Sequence, residues 1–227
     1  MSEETILSVL ERLISRGAAA TGRRLTPLPI DALAEAFAMA TRRLGRAPIE
    51  LTAEDRQRLE AAGLRYRAWE TDDLARVAVL ARAADALDDA QLAALTDDCY
   101  RRGDTRERQA VLRALPLLPP SDWTVEIGVD ACRSSVQPVF EAIACENPFP
   151  ARRFPELHFN QMVLKALFTD VRLARIVGLD ARVTADLRRM AAAYASERRA
   201  AGRSVPVDIH RLTVTAQSEE RPGCAGT

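Results

Sequence analysis

Helix-starting and helix-ending residues recur at regular intervals through the middle of this chain and divide it into amphipathic segments. Three segments each follow a residue whose side chain can cap a helix: 72–87 after Thr71, 91–102 after Asp88 and 106–118 after Asp104. Oxygens at such positions accept hydrogen bonds from the free backbone N–H groups of the first helical turn. Glycine or proline ends the last two segments, and the short links between segments favour antiparallel neighbours. The pattern predicts a helical protein.

The same punctuation extends the prediction to both ends of the chain. The expected helices are 1–17 ended by Gly17, 30–45 ended by Gly45, 52–63 opened by a capping box of Thr52 with Asp55, and 185–201 opened by Thr184 and ended by Gly202. Apolar residues recur within them at steps of three and four, which is the spacing of one buried helix face. Residues 205–212 are expected to add one further turn.

One stretch, 124–129, alternates apolar residues with polar residues or glycine as a β-strand does. It has no partner strand in the sequence, and a lone strand would leave its backbone groups unpaired. We therefore predict 123–146 as one long or broken helix, with Pro138 deciding between the two forms. The resulting fold class is all-α without a significant sheet: an antiparallel helical bundle or a short, HEAT-like α-solenoid of roughly 8–10 helices.

We expect a single helical domain over residues 1–212. Its first part, 1–120, has the pattern of a scaffold of ordinary helices, whereas 121–212 holds the only lysine and a proline-rich turn. Residues 213–227 are polar, contain glycine and follow no period, so we predict a disordered C-terminal tail there.

Charge and cysteine content exclude several classes of function. Lysine plus arginine number 32, as do aspartate plus glutamate, so no global positive field attracts nucleic acid. The four cysteines show no CxxC spacing and the two histidines lie far apart, so we expect no metal and no cofactor. Cys132 and Cys145 fall at apolar positions and are expected to be inert thiols. No apolar run approaches the ~18 residues of a transmembrane segment and no signal peptide precedes the first helix, which predicts a cytoplasmic protein.

Two polar seams distinguish the region 129–169. If 129–146 is helical, one of its faces carries Asp130, Arg133, Ser134, Gln137 and Glu141 at steps of three and four. A second predicted helix, 155–169, places His158, Gln161 and Lys165 on one edge, with Asn160 beside them. A proline-rich corner, 147–154, joins the two helices, so they can be neighbours.

Two interpretations of the seams stay open. In the first, the seams face each other and line a polar pocket, where Arg133 and Lys165 bind an anion and Glu141 or His158 moves a proton. In the second, the same residues form a solvated face and an arginine–glutamate network that fixes the corner.

A series of motifs runs through the same region. It comprises CR at 132–133, FEAIA at 140–144, NPFP at 147–150, NQMVLKALF at 160–168, IVGLD at 176–180 and YASERRAAGR at 194–203. With these motifs in this order, the chain resembles the EboA family over residues 125–203. The resemblance implies a cytoplasmic, all-helical protein encoded with companions that include a membrane prenyltransferase-like protein and a metal-dependent hydrolase-like protein. That set is associated with moving secondary-metabolite precursors out of the cytoplasm.

No catalytic residue is implied by the resemblance. The candidate ligand-binding residues are Arg133, Gln137, Glu141, Asn147, His158, Asn160, Gln161 and Lys165. We expect a non-enzymatic metabolite-trafficking or adaptor protein, cytoplasmic or peripheral to the inner membrane, whose partner is a small metabolite or one of the companion proteins. The alternative is an enzyme that acts on a secondary-metabolite precursor with Glu141 or His158 as acid or base. A solenoid that binds nucleic acid ranks last, because clustered arginines on one face would be needed.

Overall fold

A computed structural model of the chain describes residues 5–20, 32–65 and 69–213. These ranges contain fourteen α-helices: α1 Ile6–Ala20, α2 Leu33–Ala38, α3 Ala40–Leu44, α4 Ala53–Ala61, α5 Thr71–Ala86, α6 Asp89–Arg102, α7 Thr105–Ala114, α8 Asp122–Arg133, α9 Gln137–Ala144, α10 Phe149–Arg153, α11 Glu156–Phe168, α12 Leu179–Arg182, α13 Ala185–Ala200 and α14 His210–Thr213. The described residues form no strand, and one isolated bridge joins Pro48 to Glu70. The all-α prediction is confirmed.

The helices are more numerous and shorter than expected. The predicted second helix is interrupted at Met39, which separates α2 from α3. The predicted helix over 123–146 is likewise two helices, α10 and α14 occupy stretches expected to be a corner and a single turn, and α12 lies where no helix was predicted. The predicted tail lies outside the described residues, apart from its first position.

Helix α5 lies at the centre of the first half of the fold. Twelve of its sixteen residues are buried, and α1, α2, α3, α6 and α7 pack against it. Helix α7 in turn packs on α9, and α8 packs on α9. The apolar cluster that results draws residues from α1 through α14. A helix enclosed on so many sides cannot direct its polar residues to solvent, so any charge on α5 needs a partner inside the protein.

Most of the predicted helix starts are confirmed, and one is displaced. Thr52, Asp88, Asp104 and Thr184 each accept a hydrogen bond from the first turn of the helix that follows. Helix α5, however, is capped by Glu70 and not by Thr71, which is its first helical residue.

The prediction that Gly17 ends the first helix is wrong. Helix α1 continues to Ala20, and Gly17 lies buried within it. A Cβ atom on this residue would come within 2.6 Å of the Thr71 hydroxyl oxygen. The glycine is therefore explained by the close approach of α1 to α5 and not by the end of a helix.

Pro138 marks a break between two helices and not a kink within one. Helix α8 ends at Ser134, whose backbone is extended, and α9 begins after Val136 with Pro138 in its first turn. Proline is tolerated there because the first N–H groups of a helix have no intrahelical partner. The side chain of Lys165 on α11 spans the break, donating to the carbonyl oxygens of Cys132 at 2.7 Å and Ser134 at 2.6 Å.

Candidate functional site

A cleft of about 340 Å³ lies between α8 and α11. Four of the predicted ligand-binding residues line it together with Val129, Cys132 and Met162: Arg133, His158, Gln161 and Lys165. Arg133 and Gln161 are exposed, whereas His158 and Lys165 are half-buried. We call it the α8–α11 cleft. The two predicted helices are thus neighbours, and part of each polar seam faces the other.

The α8–α11 cleft is lined by basic side chains and by no carboxylate. Lys165 has no acidic partner within the described residues; it donates to the two carbonyl oxygens at the end of α8 and lies 4.6 Å from the centroid of the Phe140 ring. Burial lowers the pKa of Lys165 below its usual range. Within the same residues Arg133 makes no hydrogen bond or ion pair, and the buried Nδ1 atom of His158 has no hydrogen-bond partner.

The remaining predicted residues do not reach this cleft. Glu141 and Asn147 line a different cavity, and the Gln137 amide donates to Glu141 at 3.1 Å. Asn160 is buried and lines neither cavity. The expectation that one helix face carries all polar residues from Asp130 to Glu141 is therefore wrong, because two helices occupy this stretch and Arg133 and Glu141 line different cavities.

The second cavity has a volume of about 190 Å³ and is bordered by α7, α9 and the stretch before α5. We call it the Trp69 cavity, after the indole that lines it. Arg175 lies on its wall, donating to both carboxylate oxygens of Glu146 at 2.9 Å and to Glu141 at 2.6 Å. The hydrogen bond to Glu146 raises the pKa of Arg175 above its usual range, with Glu141 contributing. The predicted arginine–glutamate network therefore exists, but its arginine is Arg175.

The enzyme alternative required Glu141 or His158 to act on a bound substrate. The two residues line different cavities, so they do not form an acid–base pair. The carboxylate of Glu141 already accepts hydrogen bonds on both of its oxygens, from Gln137 and Arg175.

Asn147 has a structural role in the corner between α9 and α10. Its amide nitrogen donates to the carbonyl oxygens of Leu112 at 2.9 Å and Ala142 at 3.0 Å, and its Oδ1 atom accepts from the Phe149 backbone N–H at 3.0 Å. All the usual hydrogen-bonding partners of a buried amide are thus supplied by the protein. Asn147 holds α10 against α7 and α9.

A buried ion network at the start of α5 was not foreseen from the sequence. Arg106 on α7 contacts three carboxylates, lying 2.7 Å from Glu70, 3.0 Å from Asp72 and 3.1 Å from Asp73. Arg76 lies 3.1 Å from Asp72 on the opposite side. In the described part of the chain, these three acids are the one acidic group close enough to share a metal ion. Arg106 and Arg76 pair with these carboxylates, so the arrangement is a salt-bridge network.

Arg113 was also not predicted from the sequence. It contacts Asp73 of this network and lines the Trp69 cavity. Its guanidinium lies 5.3 Å from the centroid of the Trp69 ring and 3.6 Å from Asp73. Burial lowers the pKa of Arg113, although Asp73 partly offsets the effect. The sequence did indicate that Arg113 lies on the same face of α7 as Arg106, because the two residues are two helical turns apart.

Cys132 and Cys145 line the two cavities, and the pKa of Cys132 fits the predicted inert role. Burial raises the pKa of Cys132 to about 12, against the opposing influence of Lys165 and Arg133. A thiol with such a pKa is not a nucleophile near neutral pH. Cys145 is buried beside the Trp69 cavity.

Comparison with known proteins identifies the family. No curated protein and no solved structure matches the chain. No helix in the described ranges combines the length and apolar composition needed to cross a membrane. The family model described as metabolite traffic protein EboA matches residues 29–214, a range that begins well before the motifs at 132–203 and includes both cavities. The chain therefore belongs to the EboA family.

Proposed function

We propose that this protein is a non-enzymatic carrier or adaptor in metabolite traffic that binds a small anionic metabolite in the α8–α11 cleft. The observation that carries the proposal is the convergence of Arg133, His158, Gln161 and Lys165 on one cleft that no carboxylate lines. The family description supports a role in metabolite traffic, and the geometry supports the place of binding.

The donors of the cleft suit an anion. The Lys165 ammonium has three N–H donors, of which two point to backbone carbonyl oxygens, so one is left for a ligand. Arg133 adds a guanidinium whose donors are not used by the described residues. Charge-assisted hydrogen bonds from such groups are stronger than neutral ones, and Gln161 can add a neutral donor at the rim.

Binding without chemistry fits the same residues better than catalysis does. His158 is the one imidazole that lines the cleft, and no carboxylate in the cleft orients it. The Cys132 thiol, with a pKa of about 12, stays protonated. The lining therefore lacks the paired acid and base, or the activated nucleophile, on which most hydrolytic and transfer reactions depend.

Calorimetric titration with phenyl phosphate and with succinate tests the proposal. We expect at least one of these anions to bind, and Arg133→Gln to raise its Kd about tenfold or more, since a hydrogen bond to a charged group contributes about 1.5–3 kcal/mol. Lys165 is less suitable for substitution, because its loss would also uncap the end of α8.

The matched control is Arg153→Gln. Arg153 is exposed on α10 and lines neither cavity, so its substitution removes one positive charge from the surface without touching the cleft. If both variants bind as the parent does, or both weaken binding equally, the α8–α11 cleft is not the binding site.

A further inference from the structure

Among the described residues, the guanidinium of Arg113 has one ion-pair partner, Asp73, and that partner lies beyond good hydrogen-bonding distance. The Arg113 side chain is 20% exposed, and among the described residues it makes no hydrogen bond. Its nearest carboxylate oxygen, Oδ1 of Asp73, is 3.6 Å away, which is too far for a good hydrogen bond. The other oxygen of Asp73 is already 3.1 Å from Arg106. Arg113 thus keeps its charge with little solvent and no direct acceptor.

Arg113 forms part of the wall of the Trp69 cavity. A ligand in that cavity could therefore supply the hydrogen-bond acceptor that Arg113 lacks among the described residues. Removing one partner from a buried charge normally costs more than the pair contributes, so such groups are rarely left alone. Arg175, which also lines the cavity, is paired with Glu141 and Glu146. Among the described residues, Arg113 is therefore a largely buried cation of this cavity without a counter-ion at hydrogen-bonding distance, whereas Arg65, which also lines the cavity, is exposed to solvent.

We propose that the Trp69 cavity is a second ligand site, in which Arg113 binds the carboxylate of a small monoanionic organic molecule. A carboxylate offers two acceptor oxygens with the spacing of a guanidinium fork. The site is separate from the α8–α11 cleft and shares no lining residue with it. The inference thus stands or falls independently of the anion site proposed there.

Charge and size define the class of ligand. The lining holds three arginines, Arg65, Arg113 and Arg175, and two glutamates, Glu141 and Glu146. Its surplus of one positive charge matches a monoanion, whereas a dianion would exceed it. The apolar part of the lining, from Leu64, Pro116, Pro138 and Ala142, suits an organic body of low polarity. A volume of about 190 Å³ limits the ligand to a small acid. The wider groove beside it, lined by Arg65, Arg172 and Arg175, leaves an open side.

Tryptophan fluorescence gives a direct test. The chain has two tryptophans, and Trp123 lies outside the cavity, where its indole N–H donates to Asp89 at 3.1 Å. Trp123→Phe therefore leaves Trp69 as the sole emitter. In this background we expect benzoate to change the Trp69 emission saturably, because a ligand on Arg113 alters the cation beside the indole. Benzyl alcohol, its neutral counterpart, should give no saturable change, and phenyl phosphate should bind more weakly than benzoate.

Substitutions at Arg113 decide the assignment. We expect Arg113→Gln to raise the Kd for benzoate at least about tenfold, and Arg113→Lys, which keeps the charge without the planar fork, to raise it less. Arg133→Gln, in the other cleft, should leave the benzoate Kd unchanged. Thermal unfolding of each variant verifies that it is folded. If Arg113→Gln does not fold, Arg113→Lys decides.

Three results would overturn the proposal. The first is an unchanged benzoate Kd in the folded Arg113 variants. The second is saturable binding of benzyl alcohol with the affinity of benzoate, which would show that the carboxylate is not recognised. The third is the absence of any benzoate response at concentrations up to tens of millimolar, roughly where a fragment with a single charged contact would saturate.

Discussion

Arginine, and not lysine, supplies nearly all the positive charge inside this protein. Arg76 and Arg106 neutralise acids at the start of α5, and Arg175 does the same beside α9. A guanidinium stays charged at any pH a protein tolerates and contacts several carboxylates at once. The titration behaviour of the folded state at acidic pH therefore depends on the carboxylates.

Asp72 gives the clearest pH prediction. Burial opposes its ionisation, but the hydrogen bond from Thr41 and the charges of Arg106 and Arg76 lower its pKa below the usual aspartate value. Because the unfolded chain binds this proton more readily, the stabilisation is fully present above about pH 4 and is lost as pH falls through the native pKa. We expect Asp72→Asn to lower the free energy of unfolding at pH 7 by about 3 kcal/mol and to flatten its acid dependence.

Urea unfolding at a series of pH values measures both effects. Asp98→Asn is the matched control, because Asp98 is half-exposed in a surface pair with Arg102 and should change the unfolding free energy by less than about 0.5 kcal/mol. Acid limbs of equal slope in the parent and Asp72→Asn would contradict the prediction.

The sequence identified single residues best where their role is local. Thr52 and Asp104 were recognised as caps because a cap and the N–H groups it satisfies lie within three positions. Arg113 and Arg175 were missed because their partners lie far away in sequence, 34 positions in the case of the bond between Arg175 and Glu141. Nothing in an arginine's immediate neighbours tells which acid will be brought to it.

At the scale of elements, the short helices depend on backbone positions that only glycine occupies comfortably. Gly178 precedes α12 with a φ of 73°, and a Cβ atom there would lie 2.8 Å from the Cβ of Ala151 on α10. The residue therefore meets two demands at once: a left-handed backbone and close contact between two helices.

Gly178→Ala should accordingly destabilise the protein by about 2 kcal/mol or more. Gly202→Ala separates the two causes, since Gly202 also has a positive φ, of 65°, but no atom lies within 4 Å of its Cβ position. That control should cost only about 1 kcal/mol. Denaturant midpoints compare the two variants. An equal loss in both would mean that the contact with Ala151 adds nothing.

The break between α8 and α9 illustrates what local sequence leaves open. Pro138 is compatible with a kinked helix or with a new start, and neither Ser134 nor Val136 distinguishes the two. The start is favoured by a distant residue, since Lys165 supplies donors to the carbonyl groups that the end of α8 leaves free. Arg133, at the end of α8, lines the cleft shared with α11, whereas Glu141, on α9, lines the other cavity.

At the scale of the whole molecule, the helices could be predicted and their spatial arrangement could not. The spacing of apolar residues indicates that a helix has a buried face, but it does not indicate which other helix packs against that face. The central place of α5 follows from its many apolar residues only once α1 and α7 are known to pack against it. Both cavities lie between such helices. Half of the predicted ligand-binding residues line the α8–α11 cleft, and the sequence could not show that Glu141 and Asn147 line a different cavity.

The resemblance to the EboA family implies a membrane prenyltransferase-like companion, and if the protein is an adaptor for it, the two should associate. We expect part of the tagged protein to sediment with membranes from cells that carry the full set of genes, and to be released when the membrane prenyltransferase-like companion is deleted. Metabolite profiles of cytoplasm and envelope, with and without the gene, should differ in the distribution of at least one anionic compound. Identical distributions in both fractions would refute a role in traffic.

The lysine that spans the break between α8 and α9 is also the only lysine of the chain. Apart from the amino terminus, it is the sole primary amine. Growth on lysine labelled with ¹⁵N at the side-chain amine would install one isotopic label, at the Nζ atom of Lys165 in the α8–α11 cleft itself, with all three N–H donors intact. The protein carries its own single-site NMR reporter, so occupancy of the cleft could be followed in unfractionated ligand mixtures without any engineered substitution.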